Sequence, residues 1–179
     1  NARRETHAMP YFARNLFLLG AFLMGSLTIQ AQDAESFDVV IVGGTPGGIT
    51  AAIGAARGGC SVVLLDRTTH VGGLPANGLG ATDIATRGCT GGLFLEFVQR
   101  IKKHYIDTYG EKSEQVRVCS DGYHFEPSVA EKVFAAMLAE HPPIKVLRQR
   151  QFDSKPENVT LENGRLVAIR ILNRETNAM

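Results

Sequence analysis

Residues 37–66 read FDVVIVGGTPGGITAAIGAARGGCSVVLLD. The run Val39-Val40-Ile41-Val42 is β-branched and unbroken, which predicts a parallel strand covered on both faces. Gly43 allows a tight turn where a side chain would clash. A helix is expected to start near Pro46 and Gly47, so that its free N–H groups and the positive end of its dipole face the turn. A diphosphate set there accepts those hydrogen bonds. Gly48 lets the helix lie close to the strand, and Ala51, Ala52, Ala55 and Ala56 keep it thin. A second apolar run, Val62-Val63-Leu64-Leu65, ends at Asp66, an acceptor for ribose hydroxyls. Strand, glycine turn, helix, strand and terminal acid in this order form a βαβ unit that seats a dinucleotide.

The glycine pattern departs from the strict form. With Gly43 and Gly48 as its outer glycines, Thr45 stands at the middle position. Its hydroxyl can serve a phosphate, while its Cβ crowds the approach. Asp66 would repel a 2′-phosphate, which argues against NADP. On spacing alone both FAD and NAD remain open. A second glycine pair, Gly72-Gly73, permits another close approach of backbone to ligand, with an ordinary surface turn as the alternative.

The chain has 179 residues, 44% of them hydrophobic and 21% charged, as in globular proteins. Its net charge of +1, with no basic run and no interleaving of basic and aromatic residues, gives no reason to expect nucleic acid. From Met9 the sequence reads MPYFARNLFLLGAFLMGSLTIQAQ, with Arg14 before an apolar stretch at 16–29 and Ala31 at a cleavage position. This is the layout of a signal peptide over 9–31, preceded by upstream residues 1–8. The apolar stretch is shorter than the ~20 residues of a spanning helix, so no stable membrane span is expected after cleavage. The mature chain would start near Gln32 and be exported to the periplasm or beyond. The 3 cysteines, Cys60, Cys89 and Cys119, match neither a zinc site nor an iron–sulfur run and are read as buried small hydrophobes.

Residues 74–92 are rich in Gly, Thr and Ala without a period, so a long loop is expected. Residues 93–109 carry Phe94, Phe97, Val98, Ile101 and Tyr105 on one helical face, with His104 beside them in a structural role. Ser128 and Glu131 have the spacing of a capping box, and Pro142-Pro143 stops the helix that follows. Before the cap, residues 123–126 read as a short extended segment, with His124 and Glu126 as its polar members. Residues 144–152 predict one strand. Asn163-Gly164 between apolar runs predicts a hairpin.

The segments DVVIVGGTPGGITAAIGAARGG, VVLLDRTTHVGGLPANGLGATDI and FEPSVAEKVFAAML resemble secreted bacterial FAD-dependent oxidoreductases. That family belongs to the two-dinucleotide-binding-domain flavoproteins and is grouped with heterodisulfide reductase A-like proteins. Some members carry the label xanthan lyase, but no paired carboxylate or Tyr/His constellation for β-elimination is present here. The resemblance runs from about Phe37 to the chain end, and it shifts the choice from NAD to FAD. It implies that Gly43, Gly44, Thr45, Pro46, Gly47 and Gly48 line the FAD diphosphate. Asp66 would bind the adenosine ribose with Arg67 beside it, and Gly72 and Gly73 would pass the diphosphate again. Thr82 and Asp83 would stand on the flavin side. The implied fold is α/β, a Rossmann-like FAD-binding βαβ core with a small antiparallel β-meander. Residues 32–179 would be the N-terminal part of the FAD domain, with the rest of that domain and the substrate domain beyond it. The wider family admits an iron–sulfur cluster, for which this chain shows no ligands. The expected function is the FAD-binding portion of a flavin-dependent oxidoreductase acting on a small molecule that these residues do not name. An NAD-dependent dehydrogenase and a truncated nucleotide-binding protein without catalysis are the alternatives.

Overall fold

The β-branched run forms strand β1 (Val39–Val42), which leads through the glycine turn into helix α1 (Pro46–Arg57) and back to strand β2 (Val62–Leu65). The computed structural model describes residues 34–179; the signal segment read at 9–31 and the residues before it lie outside that range. Strand β3 (Ile144–Leu147) joins the far side of β2, giving a parallel sheet in the order β1-β2-β3. Val62 faces both Val39 and Ile144 in register, and Leu65 faces both Val42 and Leu147. As the middle strand, β2 is buried at all four residues.

β1 departs from the expectation of two covered faces. Val39 and Ile41 turn toward the core, whereas Val40 is 42% exposed and Val42 is 55% exposed. Hydrogen bonding reaches β1 from one neighbour only, so it is an edge strand among the described residues.

The core lies between the sheet and its helices. Ile49, Ala52 and Ile53 of α1 meet Val62 and Leu64 there. Helix α3 (Gly92–Tyr109) adds Phe97, Val98, Ile101 and Tyr105, the stripe read from the sequence. Phe97 stacks on Phe134 at 4.3 Å between ring centroids and meets Phe125 edge-on at 5.5 Å. Each such side chain stabilises the fold by about 1.5–3 kcal/mol on burial. Two short helices, α2 (Gly73–Ala76) and α4 (Glu114–Val118), sit in the connections. Among the described residues no helix is long and apolar enough to cross a membrane.

Helix α5 (Pro127–Ala139) starts two residues earlier than the capping box predicts, with Glu126 in place of Ser128 at the N-cap. Pro127, with its fixed φ and no N–H to lose, takes the first helical position. Ser128 is therefore inside the helix. Glu131 reaches away from the helix end to His70 Nδ1, at 2.7 Å. Of the segment expected to be extended before α5, His124 forms an isolated antiparallel bridge with Ala81 and Glu126 is extended, but Tyr123, at φ −84° and ψ −17°, is helical because it ends the preceding tight turn.

The expected strand over 144–152 is two strands. Gln149, at φ +54°, breaks it, and β4 (Arg150–Phe152) leaves the parallel sheet. Strands β5 (Val159–Glu162), β6 (Arg165–Ile169) and β7 (Ile171–Asn173) complete the antiparallel part. β5 pairs with β6 across Asn163 and Gly164, both at positive φ as a two-residue hairpin turn requires. β4 pairs with β7, so this part is a pair of nested hairpins, whereas a meander would set each strand beside the next in sequence.

The cysteines are free thiols with unequal burial. Cys119 is buried as expected and Cys60 is half-buried. Cys89 is exposed, because it sits in the loop before α3, outside any packed element.

Candidate functional site: a glycine-lined dinucleotide cleft

The glycine turn begins where β1 ends. Gly43, at φ +110°, donates its N–H to Leu65 O at 2.8 Å, which keeps the turn tied to β2. Gly48 admits no side chain: a Cβ there would lie 1.9 Å from Gly43 O. At Gly44 a Cβ would lie 2.6 Å from Asp66 Oδ2 and 3.0 Å from Val71 Cγ1. These glycines are demanded by helix, strand and acid approaching one another, whatever ligand is bound.

Thr45 caps α1, its Oγ1 accepting from Gly48 N at 3.3 Å. Ile49 N donates to Thr45 O at 2.8 Å, and Pro46 has no N–H. Within the first turn of α1, Gly47 N–H is then the amide with no partner among the described residues. The sequence predicts several free amides here, and capping reduces them. The Thr45 hydroxyl uses its oxygen as acceptor and keeps its own proton for an anion.

The second glycine pair joins the first. Gly72 N donates to Gly44 O at 2.6 Å. Gly72 and Gly73 have φ of +116° and +57°. A Cβ at Gly72 would lie 2.7 Å from Ala76 Cβ and 3.0 Å from Phe134. At Gly73 it would lie 3.1 Å from Pro46 Cδ and 3.3 Å from Thr45 Cα. An ordinary surface turn has no such neighbours.

Asp66 links the parts. Its Oδ2 accepts Gly44 N–H at 2.8 Å, and its Oδ1 accepts Thr68 N–H at 2.7 Å with Thr68 Oγ1 at 2.6 Å. Arg67 holds its carbonyl to Arg174 Nη1 at 2.7 Å.

These segments frame a cleft of about 250 Å³ at the C-terminal ends of β1 and β2, the place where open α/β sheets bind ligands. Gly43, Thr45, Asp66, Arg67 and Gly73 line it. Gly44, Pro46, Gly47, Gly48 and Gly72 shape the two turns without lining it. Thr82 and Asp83 are not among the lining residues either. Thr82 Oγ1 is buried without a partner among the described residues. A second cavity, about 260 Å³, lies beside Asp153, Lys155, Asn158 and Leu172 and includes neither glycine turn.

Sequence reasoning missed Thr68, Asn77, Arg150, Gln151 and Phe152, which also line the cleft. The last three arrive because the break at Gln149 swings β4 across the end of β2. Gln149 N then donates to Thr68 O at 2.9 Å and Arg150 N to Asp66 O at 2.8 Å. No local sequence signal marks this return; Gln149 has no special turn propensity, and Thr68, whose carbonyl its N–H meets, lies some eighty residues away. The Arg150 side chain is held by Asn173 Oδ1 at 2.9 Å.

A family model described as FAD dependent oxidoreductase matches residues 38–178. The chain belongs to this family. FAD is the cofactor that goes with it, and the choice left open between FAD and NAD closes on FAD. The Gly47 N–H, without a partner among the described residues, and the Thr45 hydroxyl at the start of α1 suit the diphosphate of a dinucleotide.

Solved structures are similar to this member of the family. A myxobacterial chondrochloren halogenase, a variant of the FAD-dependent halogenases, superposes with a TM-score of 0.51 at 18% identity, over 79% of this chain and 34% of that one. The L-amino acid deaminase of Proteus vulgaris, with its specific insertion deleted, gives 0.48 at 14% identity over 78% and 50%. Thermovibrio ammonificans THI4 gives 0.45 at 20% identity over 78% and 49%. The chain thus spans about half the length, or less, of these structures. No curated protein matches it in sequence.

Proposed function

We propose that the chain is the FAD-binding portion of an exported flavin-dependent oxidoreductase acting on a small molecule. The observation that carries this is the hydrogen bond between the two glycine turns, Gly72 N to Gly44 O at 2.6 Å, at the start of α1 and beside the cleft. Two glycine turns, far apart in sequence, are held together where a diphosphate would meet the positive end of a helix. Gly47 N–H and the Thr45 hydroxyl would donate to it. Gly73 would let backbone approach from the other side. Asp66 would receive the adenosine ribose, with Arg67 at the rim. Bound FAD would supply two-electron redox chemistry, and the protein would orient it and shape its electrostatic surroundings.

Two features support a protein longer than the described residues. The outer edge of β1 is open, and Val40 and Val42 beside it are exposed apolar side chains, suited to a further strand and its cover. Export rests on the signal layout over 9–31, and the mature protein would begin near Gln32 on N-terminal sequencing.

The deciding experiment is purification of the product of the whole reading frame, followed by its visible spectrum. Bound flavin absorbance is the expected result. A colourless protein that oxidises substrate with added NAD would sink the proposal.

A further inference from the structure

How much of the Asp66 carboxylate remains free decides how it can treat a ribose. An ionised carboxylate offers about four lone-pair positions on its two oxygens. Protein donors hold three of them. Gly44 N–H takes one on Oδ2 at 2.8 Å. Thr68 N–H and Thr68 Oγ1 take both on Oδ1, at 2.7 and 2.6 Å. Thr68 Oγ1 also lies 2.7 Å from His70 O and has a single proton to give. The ionised acceptor forms the stronger bond and receives it. With the proton placed either way, the hydroxyl oxygen occupies that side of Oδ1.

None of the three is easily released. Gly44 is buried, so turning Oδ2 away would leave a buried N–H unpaired. Thr68 is clamped from outside, its carbonyl accepting Gln149 N at 2.9 Å. His70 N closes the loop onto Thr68 Oγ1 at 3.3 Å.

We infer that Asp66 accepts a hydrogen bond from one hydroxyl of the adenosine ribose and not from the vicinal pair, because the protein's own donors hold its other three lone-pair positions. This rests on the FAD reading above. The two ribose hydroxyls then contribute unequally to affinity. Thr68, two residues past the acid, sets that inequality.

The test uses the full chain, FAD, and two FAD analogues lacking the adenosine 2′- or the 3′-hydroxyl, with binding followed by quenching of flavin fluorescence. Removal of one hydroxyl should weaken binding by about 10- to 100-fold, as expected for a hydrogen bond to a charged acceptor, and removal of the other by less than about 3-fold. Thr68→Val frees one side of Oδ1, and in that variant the previously silent hydroxyl should come to matter by about 10-fold. Equal losses for both analogues, or a loss for neither, would overturn the inference, as would a folded Thr68→Val variant with the wild-type pattern. If circular dichroism shows that variant unfolded, the analogue comparison on the wild-type chain decides alone. Failure of FAD itself to bind would bring down the proposed function and this inference with it; FAD binding with equal losses removes only the inference.

Discussion

Gly47 and Gly48 stand side by side, and their surroundings set opposite demands. A methyl group at Gly48 would fall 1.9 Å from the carbonyl oxygen of Gly43, a backbone atom that cannot yield without moving β1 or α1. Gly48→Ala should therefore destabilise the chain by about 1–3 kcal/mol or more, read as a lower urea midpoint. At Gly47 the nearest atom to a Cβ is Thr45 Oγ1 at 3.8 Å, which is ordinary contact. Gly47→Ala should leave stability within about 0.5 kcal/mol of wild type, yet weaken FAD binding by crowding the Gly47 N–H, which has no partner among the described residues. A Gly47→Ala protein that unfolds, or that binds FAD as well as wild type, would contradict this division. Both glycines were legible in the sequence as members of one motif. Their different duties were not, because the carbonyl that excludes a side chain at Gly48 is placed by packing of helix on strand.

At the scale of elements, the two ends of α5 show where local reading succeeds and where it fails. Its apolar face, Val133, Phe134, Met137 and Leu138, is buried as periodicity predicts. Its start is set by Pro127, so Ser128→Ala should change stability by less than about 0.5 kcal/mol in chemical denaturation, where a true N-cap loses about 1 kcal/mol. The three long helices are also tied by ion pairs that no single helix reveals. Arg57 of α1 grips Glu96 of α3 through two bonds of 2.7 Å, and Arg100 of α3 grips Glu140 at the end of α5, Nη2 to Oε2 at 2.7 Å. Hydrogen bonding to Arg57 holds the Glu96 carboxyl below its ordinary value of 4.5, and hydrogen bonding to Arg100 does the same for Glu140. A carboxylate whose folded value is depressed contributes its stability above the unfolded value and loses it as pH falls through the folded one. Thermal stability should therefore drop as pH falls from about 4.5 downward, and the double variant Glu96→Gln/Glu140→Gln should drop less steeply over that range. Equal slopes for the two proteins would show that these pairs add nothing to acid stability. These partners are spaced by about forty residues, so the pairing depends on how the helices lie together and leaves no trace in the sequence pattern.

Over the whole molecule the parallel sheet is asymmetric. β2 is bonded on both sides, while Val39 N and Gly43 N point from β1 toward β2, so the alternate amides of Val40 and Val42 point to the open edge. In hydrogen exchange the Val40 and Val42 amides of this chain should exchange far faster than those of Val63 and Leu64. In the product of the whole reading frame they should become protected if a further strand covers that edge. Rapid exchange in both proteins would argue against such a strand. By itself the sequence determined the βαβ unit, the family, the helical stripe over Phe97–Tyr105 and the Asn163-Gly164 turn, since each depends on residues that are neighbours along the chain or one period apart. Only the tertiary structure decided that Gly72 meets Gly44, that Gln149 swings β4 across the end of β2, and that Thr68 with Gly44 holds three of the four acceptor positions of Asp66. The physical reason is common to all three. Each is a hydrogen bond or a break in pairing whose geometry is set by packing of distant segments, and no local propensity encodes it.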